Sequence, residues 1–236
     1  MTDAEVITQT PLLDAITDLP TYDQDLLFWE EQLARLLQMP LVWALNADEL
    51  IKAFELVSAQ AVEDNRVKTK QIREQFECLR KNSPPPVRYP IIQVGRIARM
   101  LGGYVLETLF KGVAINLPDN LAGLKSKDRA TMKRLFHHEL RKLAKEAGVT
   151  LSENETLLCE RLEQYTVWAG RYPAPKDVRS LLPRQFPDGS ISALTTGSIE
   201  DFATLRALIA RVRTLLPPID WSQPYNSVVS PSEAQT

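Results

Sequence analysis

The residues able to do chemistry in this 236-residue chain gather in two short stretches. The first is Leu101-Gly-Gly-Tyr-Val-Leu-Glu107-Thr-Leu-Phe-Lys111-Gly112. Four residues on a helix set Glu107 one turn before Lys111, the favourable order for such a pair, which contributes about 0.2–0.5 kcal/mol when exposed. The surrounding run is apolar nearly all round, so the pair lies on a flank bordered by Met100 and Ala114 and must find further partners for its remaining donors and acceptors. It either locks helix packing or supports a binding site. In the second stretch, Lys125, Lys127, Arg129, Lys133, Arg134, Arg141, Lys142 and Lys145 face only Asp128 and Glu139, in a chain of net charge −2. That local excess reads either as the footprint of a polyanion site or as a solvated basic face. His138 lies inside it. On a continuous helix over 127–147, Phe136, Leu140, Leu143, Ala144 and Ala147 face the core, and His138 points outward beside Arg134, Arg141 and Lys145. Neighbouring cations disfavour the imidazolium, which makes His138 a candidate general base where phosphate is attracted.

Other chemistries find little support. With only two histidines and no acidic cluster at ligand spacing, neither a metal nor a cofactor is expected. Phosphate-loop, dinucleotide-binding, serine-hydrolase and zinc-protease patterns do not occur. Cys78 and Cys159 stand far apart and read as reduced packing residues.

The elements that must position these residues are helical. Pro40 suits a first helical position, and no Pro or Gly follows before 81, so a long helix runs from Pro40 to about Lys81 after a shorter one over Tyr22–Gln38. Leu50, Phe54, Val57 and Ala61 form its apolar stripe, and Asp48 and Lys52 can pair across one turn; past Glu63 the stripe thins, and that end projects or covers the outside of the bundle. Pro84, Pro85, Pro86 and Pro90 make 83–93 an extended connector. Then come helices over about 93–116, 127–147 and 153–168. Gly148 stops the second, and Ser152 with Glu155 starts the third as a capping box. The glycines at 102, 103 and 112 are best explained by close approach of another helix, since each costs about 1 kcal/mol relative to Ala. A last helix, 199–216, turns Leu205, Leu208, Ile209 and Val212 to one side before Pro217-Pro218. No segment alternates with period two over sheet length. The expected class is all-α: an N-terminal helical region at 1–82, a connector at 83–93, an antiparallel helical bundle at 94–216 and a mobile tail at 217–236.

Asp3, Glu5, Asp14 and Asp18 interrupt the N-terminus, which lacks a basic and then apolar leader, so the chain is expected in the cytoplasm. Glu107 and Lys111 break the most apolar run, Met100–Leu117, and no membrane span or membrane partner is expected.

Three stretches in order resemble HEPN-like proteins. The Gly-Gly-Tyr-Val-Leu-Glu107-Thr-Leu-Phe-Lys111 run is similar to their central helix, with small residues before a Glu and a Lys one turn later. His138-Glu139-Leu140-Arg-Lys-Leu143 resembles their His-Asp-Leu-x-x-Leu segment, with Glu for Asp. Trp168-Ala-Gly-Arg171-Tyr172-Pro173 resembles the Arg-Tyr-Pro end of the following helix. The resemblance spans about 94–177 and leaves the first 90 residues uncovered. It implies an antiparallel bundle of four or five helices, here with an added N-terminal helical pair, often a homodimer, from bacterial toxin–antitoxin, antiphage defence or nucleotidyltransferase-associated systems. Some members cut RNA without a metal. On this reading RNA or a nucleotide is the ligand. His138 and Arg171 are the catalytic candidates, with Glu107, Lys111, Arg134, Arg141, Lys142 and Tyr172 in the binding surface. The ribonuclease members carry Arg, four to six residues, then His; here those positions hold Ala130, Thr131, Met132 and Lys133, and no His follows Arg171. The alternative is a non-catalytic helical module whose N-terminal helices dock on a larger protein partner.

Overall fold

The computed structural model describes residues 35–84, 93–169, 182–185, 191–192 and 199–220. The expected helix over Tyr22–Gln38, most of the proline connector, Arg171, Tyr172 and the tail from Trp221 fall largely or wholly outside them. The elements below belong to one compact unit that begins at Gln38.

Helix α1, Pro40–Arg80, opens with Pro in its first turn as expected and runs 41 residues. Ala44, Ala47, Phe54 and Ala61 are buried, and Leu50 and Val57 pack against the same core. Its last buried residue is Asp64. Asp48 does not pair with Lys52: its carboxylate takes Arg213 at 2.6 and 2.9 Å, a partner from the far end of the sequence. Lys68 donates to Gln93 and Asp64 accepts the Val94 amide, so the chain returns from the connector beside the middle of α1. The connector therefore joins two parts of one core.

Helix α2, Gly95–Ile115, is the axis of the bundle. It is buried almost without interruption from Gly102 to Ile115, as an all-round apolar helix must be. Every other long helix packs on it, α1 most extensively. Close approach accounts for its glycines: a Cβ at Gly102 would collide with Leu205 and crowd Phe54, and one at Gly103 would collide with Thr166.

The basic stretch folds differently from the expected single helix. Three short helices follow one another: α3 at Pro118–Lys125, α4 at Arg129–Leu135 and α5 at Leu140–Glu146. Asp128 caps α4 by accepting the Thr131 amide and hydroxyl. The break at 136–139 has a packing cause. Leu135 and Leu140 are both fully buried, yet five residues on one helix would turn them about 140° apart. Leaving the helix at Phe136 (φ −100°, ψ 63°) and re-entering after an extended Glu139 lets both reach the core. The His137 ring takes part, its Nδ1 accepting the Glu139 amide at 3.0 Å.

Gly148, at φ +68°, closes α5 in the left-handed conformation. Helix α6, Glu153–Gln164, carries the full Ser152/Glu155 capping box and continues into a π-helical turn, Tyr165–Ala169. Helix α7, Asp201–Arg213, buries Leu205, Leu208, Ile209 and Val212, the side read from the sequence, together with Phe202. The sole strand pairing among the described residues joins Arg184–Gln185 to Ile191–Ser192, antiparallel. The protein is an all-α helical bundle, and no described helix is long and apolar enough to cross a membrane.

Candidate functional site

Glu107 and Lys111 project from the middle of α2, where each residue is only 8% exposed. Lys111 Nζ donates to Glu107 Oε1 at 2.6 Å. The further partners that a buried pair requires come from the break between α4 and α5. His138 Nδ1 lies 3.0 Å from Oε1 and 2.9 Å from Oε2 of Glu107. Phe136 presents its ring to Lys111 Nζ, 5.7 Å from the centroid, as a cation–π contact. Two expectations change accordingly. Phe136 is at the surface, 36% exposed, and not in the core. His138 turns to a carboxylate and not to Arg134, Arg141 and Lys145, because the helix on which they would have been neighbours is interrupted.

A carboxylate against Nδ1 dictates the chemistry of the ring. It accepts the Nδ1 proton and so leaves Nε2 as the lone-pair nitrogen of the neutral imidazole. The His138 side chain is 59% exposed, whereas that of Glu107 is 11% exposed. The arrangement is a buried carboxylate orienting a solvent-facing imidazole, with Lys111 bound to the same carboxylate. It can accept a proton from, or return one to, a group brought to its outer face.

The neighbouring cations are mostly engaged within the protein. Arg134 bonds to Asn120 Oδ1 and, at 2.8 Å, to Glu146. Asn120 is itself buried and donates to the Ala114 carbonyl at 2.9 Å, so this cluster ties α4 to the end of α2. Arg141 grips Glu163 through its main-chain amide at 3.1 Å and its guanidinium at 3.3 Å, with Glu160 at 3.7 Å. Burial works most strongly against the Arg141 cation, but the Glu163 hydrogen bond together with the negative charges of Glu163 and Glu160 outweighs it and raises the arginine above its ordinary value. Lys142 pairs with Glu139 at 2.6 Å on the surface. Arg134 and Arg141, with side chains 43% and 44% exposed, are thus each held by carboxylates within the protein. Lys125, Lys127, Arg129, Lys133 and Lys145 are exposed and have no ion pair among the described residues. Burial pushes the His137 imidazole below its ordinary value, with Glu139 opposing and Lys111 adding to the shift.

The structure therefore brings Glu107, Lys111 and His138 together, sets Arg134, Arg141 and Lys142 in separate pairs, and leaves Arg171 and Tyr172 outside the described residues. Sequence reasoning missed Asn120, Glu146 and Glu163. Only Glu163 had a readable signal, as an acid on the apolar side of α6 near Leu162. No three His, Cys, Asp or Glu side chains gather as a metal site among the described residues. No protein-family model matches the chain, and neither a curated protein nor a solved structure matches it.

Proposed function

We propose that this chain is a HEPN-like, RNA-binding protein of a bacterial defence or toxin–antitoxin system, with His138 as the general base of metal-independent RNA cleavage. The observation that supports it is the Glu107 carboxylate on His138 Nδ1, which leaves Nε2 as the lone-pair nitrogen of a side chain that is 59% exposed. In the step proposed, Nε2 takes the proton of a ribose 2′-hydroxyl, the 2′-oxygen bonds to the adjacent phosphorus as the bond from phosphorus to the 5′-oxygen breaks, and the 5′-oxygen leaves with a proton taken from solvent water. The exposed Lys125, Lys127, Arg129, Lys133 and Lys145 supply the non-specific attraction to the strand.

The test uses a fluorescent single-stranded RNA, with and without a chelator. Cleavage should persist in the chelator and disappear in His138→Ala, and fall by at least about tenfold in Glu107→Gln, whose neutral amide keeps one acceptor oxygen where the carboxylate has two. Binding should weaken with salt, and Lys125→Ala with Lys133→Ala should flatten the salt slope by about 0.7 for each phosphate no longer neutralised. Cleavage that survives His138→Ala would sink the reading. A second reading, the non-catalytic interaction module, is favoured by the tethering of Arg134 and Arg141 to Glu146 and Glu163, which removes two cations from any ligand. It expects a protein inert toward RNA.

A further inference from the structure

The core-facing side of α1 does not end where the bundle ends. Ala47, Phe54, Ser58 and Ala61 are buried along it, and the same helical side continues through Asn65, Thr69, Ile72, Phe76 and Leu79. None of these five is buried, although Phe76 is 68% and Leu79 60% exposed with large apolar side chains. Val62, Thr69 and Phe76 recur every seven residues, as do Asn65, Ile72 and Leu79 three positions later. That is the a/d spacing of a coiled-coil seam. The stretch 65–80 is about four turns, too short to be a robust helix in water by itself, and its apolar stripe has the character of a contact surface. The seam also borders an open groove of about 650 Å³ that reaches Ile199.

The edges of the seam carry one sign of charge. Arg66, Arg73 and Arg80 follow one edge at seven-residue intervals and Lys68 lies on the other. Arg66 is turned to Glu63 at 2.7 Å, whereas Arg73 and Arg80 have no ion pair among the described residues. We propose that this seam, from Val62 to Leu79, docks an amphipathic helix of another protein whose seam-flanking positions are Asp and Glu. Charge selects among the occupants. Two copies of this chain laid seam to seam would bring the Arg73 and Arg80 edge against itself or against Lys68, which repels. An anionic lipid surface is disfavoured because Glu63, Glu74 and Glu77 share the solvent side of the helix with Lys70. An acidic helix neutralises both edges while it covers Ile72, Phe76 and Leu79. This docking is independent of the acid–base reading of His138.

The test is fluorescence anisotropy with a labelled heptad peptide carrying Leu at a and d and Glu at the flanks, titrated with the full chain. A matched peptide with Lys flanks is the control. The Glu peptide should bind and the Lys peptide should not. Phe76→Asp should weaken binding by about tenfold or more, the effect of withdrawing one aromatic ring from a buried seam. Arg73→Glu with Arg80→Glu should reverse the preference between the peptides. Because Phe76 is exposed, Phe76→Asp should leave thermal melting unchanged, which separates a docking defect from a folding defect. Equal binding of the two peptides, or binding indifferent to Phe76→Asp, overturns the proposal. So does a dimer by sedimentation that Phe76→Asp dissociates, since the seam would then belong to a second copy, and so does an intrachain cross-link from position 76 in a chain that binds neither peptide.

Discussion

Removing the Glu107 charge alone should be far more damaging than removing Glu107 and Lys111 together. Each residue is 8% exposed, and the Lys111 ammonium has one carboxylate oxygen at 2.6 Å and one aromatic ring as its surroundings. Glu107→Leu leaves that ammonium buried without its carboxylate, and loss of one member of a buried pair costs about 3–5 kcal/mol. For a chain of this length a midpoint falls by about 2–4 °C per kcal/mol, so the variant should melt roughly 6–20 °C lower. Lys111→Met leaves a buried carboxylate that still has His138, and should cost less. The double substitution Glu107→Leu with Lys111→Met removes both desolvation penalties and should return to within about 1–2 kcal/mol of the parent. Urea unfolding at neutral pH for all four proteins gives the coupling energy, expected to be no less than about 2–3 kcal/mol. The same cycle in high salt should change little, because a buried pair is weakly screened. Additive costs would refute the reasoning and reduce the pair to a solvated contact. His138→Ala is the internal control: its side chain is 59% exposed, so it should affect stability by under about 1 kcal/mol.

Acid should destabilise the fold through two named groups. Burial opposes it, but the Ser152 amide and Arg211 hold the Glu155 carboxyl below its ordinary value, and burial holds the His137 imidazole below its own. A depressed folded-state value means stability present above the unfolded value and lost as pH falls through the folded one. The loss therefore begins below about pH 6.5 for His137 and below about pH 4.5 for Glu155. Urea midpoints measured down this range should fall, and Arg211→Ala should flatten the Glu155 part; a flat profile would count against both assignments. Gly103→Ala should destabilise by about 1–3 kcal/mol because its Cβ meets the Thr166 methyl, and Thr166→Ser in the same chain should restore most of that in thermal melts. Burial pushes the Cys159 thiol up to about 12, so a colourimetric thiol reagent should titrate Cys78 alone in the native protein and both thiols in denaturant.

What the sequence made legible was whatever depends on local pattern. The all-round apolar run 101–112 had to be central, Ser152 and Glu155 had to start a helix, Gly148 had to stop one, and Leu205 to Val212 had to face inward; each signal involves residues within a few turns of one another. The break at 136–139 escaped because neither Gly nor Pro marks it. Its signal was subtler, the five-residue spacing of Leu135 and Leu140, which no single helix can bury on one side. From that miss followed the others in the site, since a continuous helix gives His138 basic neighbours and sends Phe136 inward. The ion-pair partners were illegible for a different reason. Asp48 with Arg213, and Arg134 with Glu146, are chosen by where helices cross, and the i,i+4 rule sees only one helix at a time.

Packing explains why α4 and α5 separate, but not why the separation should be met by a carboxylate. A Leu and a Met in place of Glu107 and Lys111 would fill α2 at similar volume and at little or no loss of stability, because ionic groups in such places are offset by their own desolvation. The break would still form, driven by Leu135 and Leu140, and His138 would still emerge beside α2. What would vanish is the acceptor on Nδ1 and with it the single orientation and tautomer of an otherwise exposed ring. Stability therefore supplies no reason for the pair, and the further contact its carboxylate makes is with His138 Nδ1. The two substitutions made together are the decisive variant: a protein within about 1–2 kcal/mol of its parent that retains His138 and has lost the proton-transfer chemistry proposed for its outer face. Should the double variant keep that chemistry in full, Glu107 would be a tolerated buried charge and His138 would have to be oriented by something other than α2.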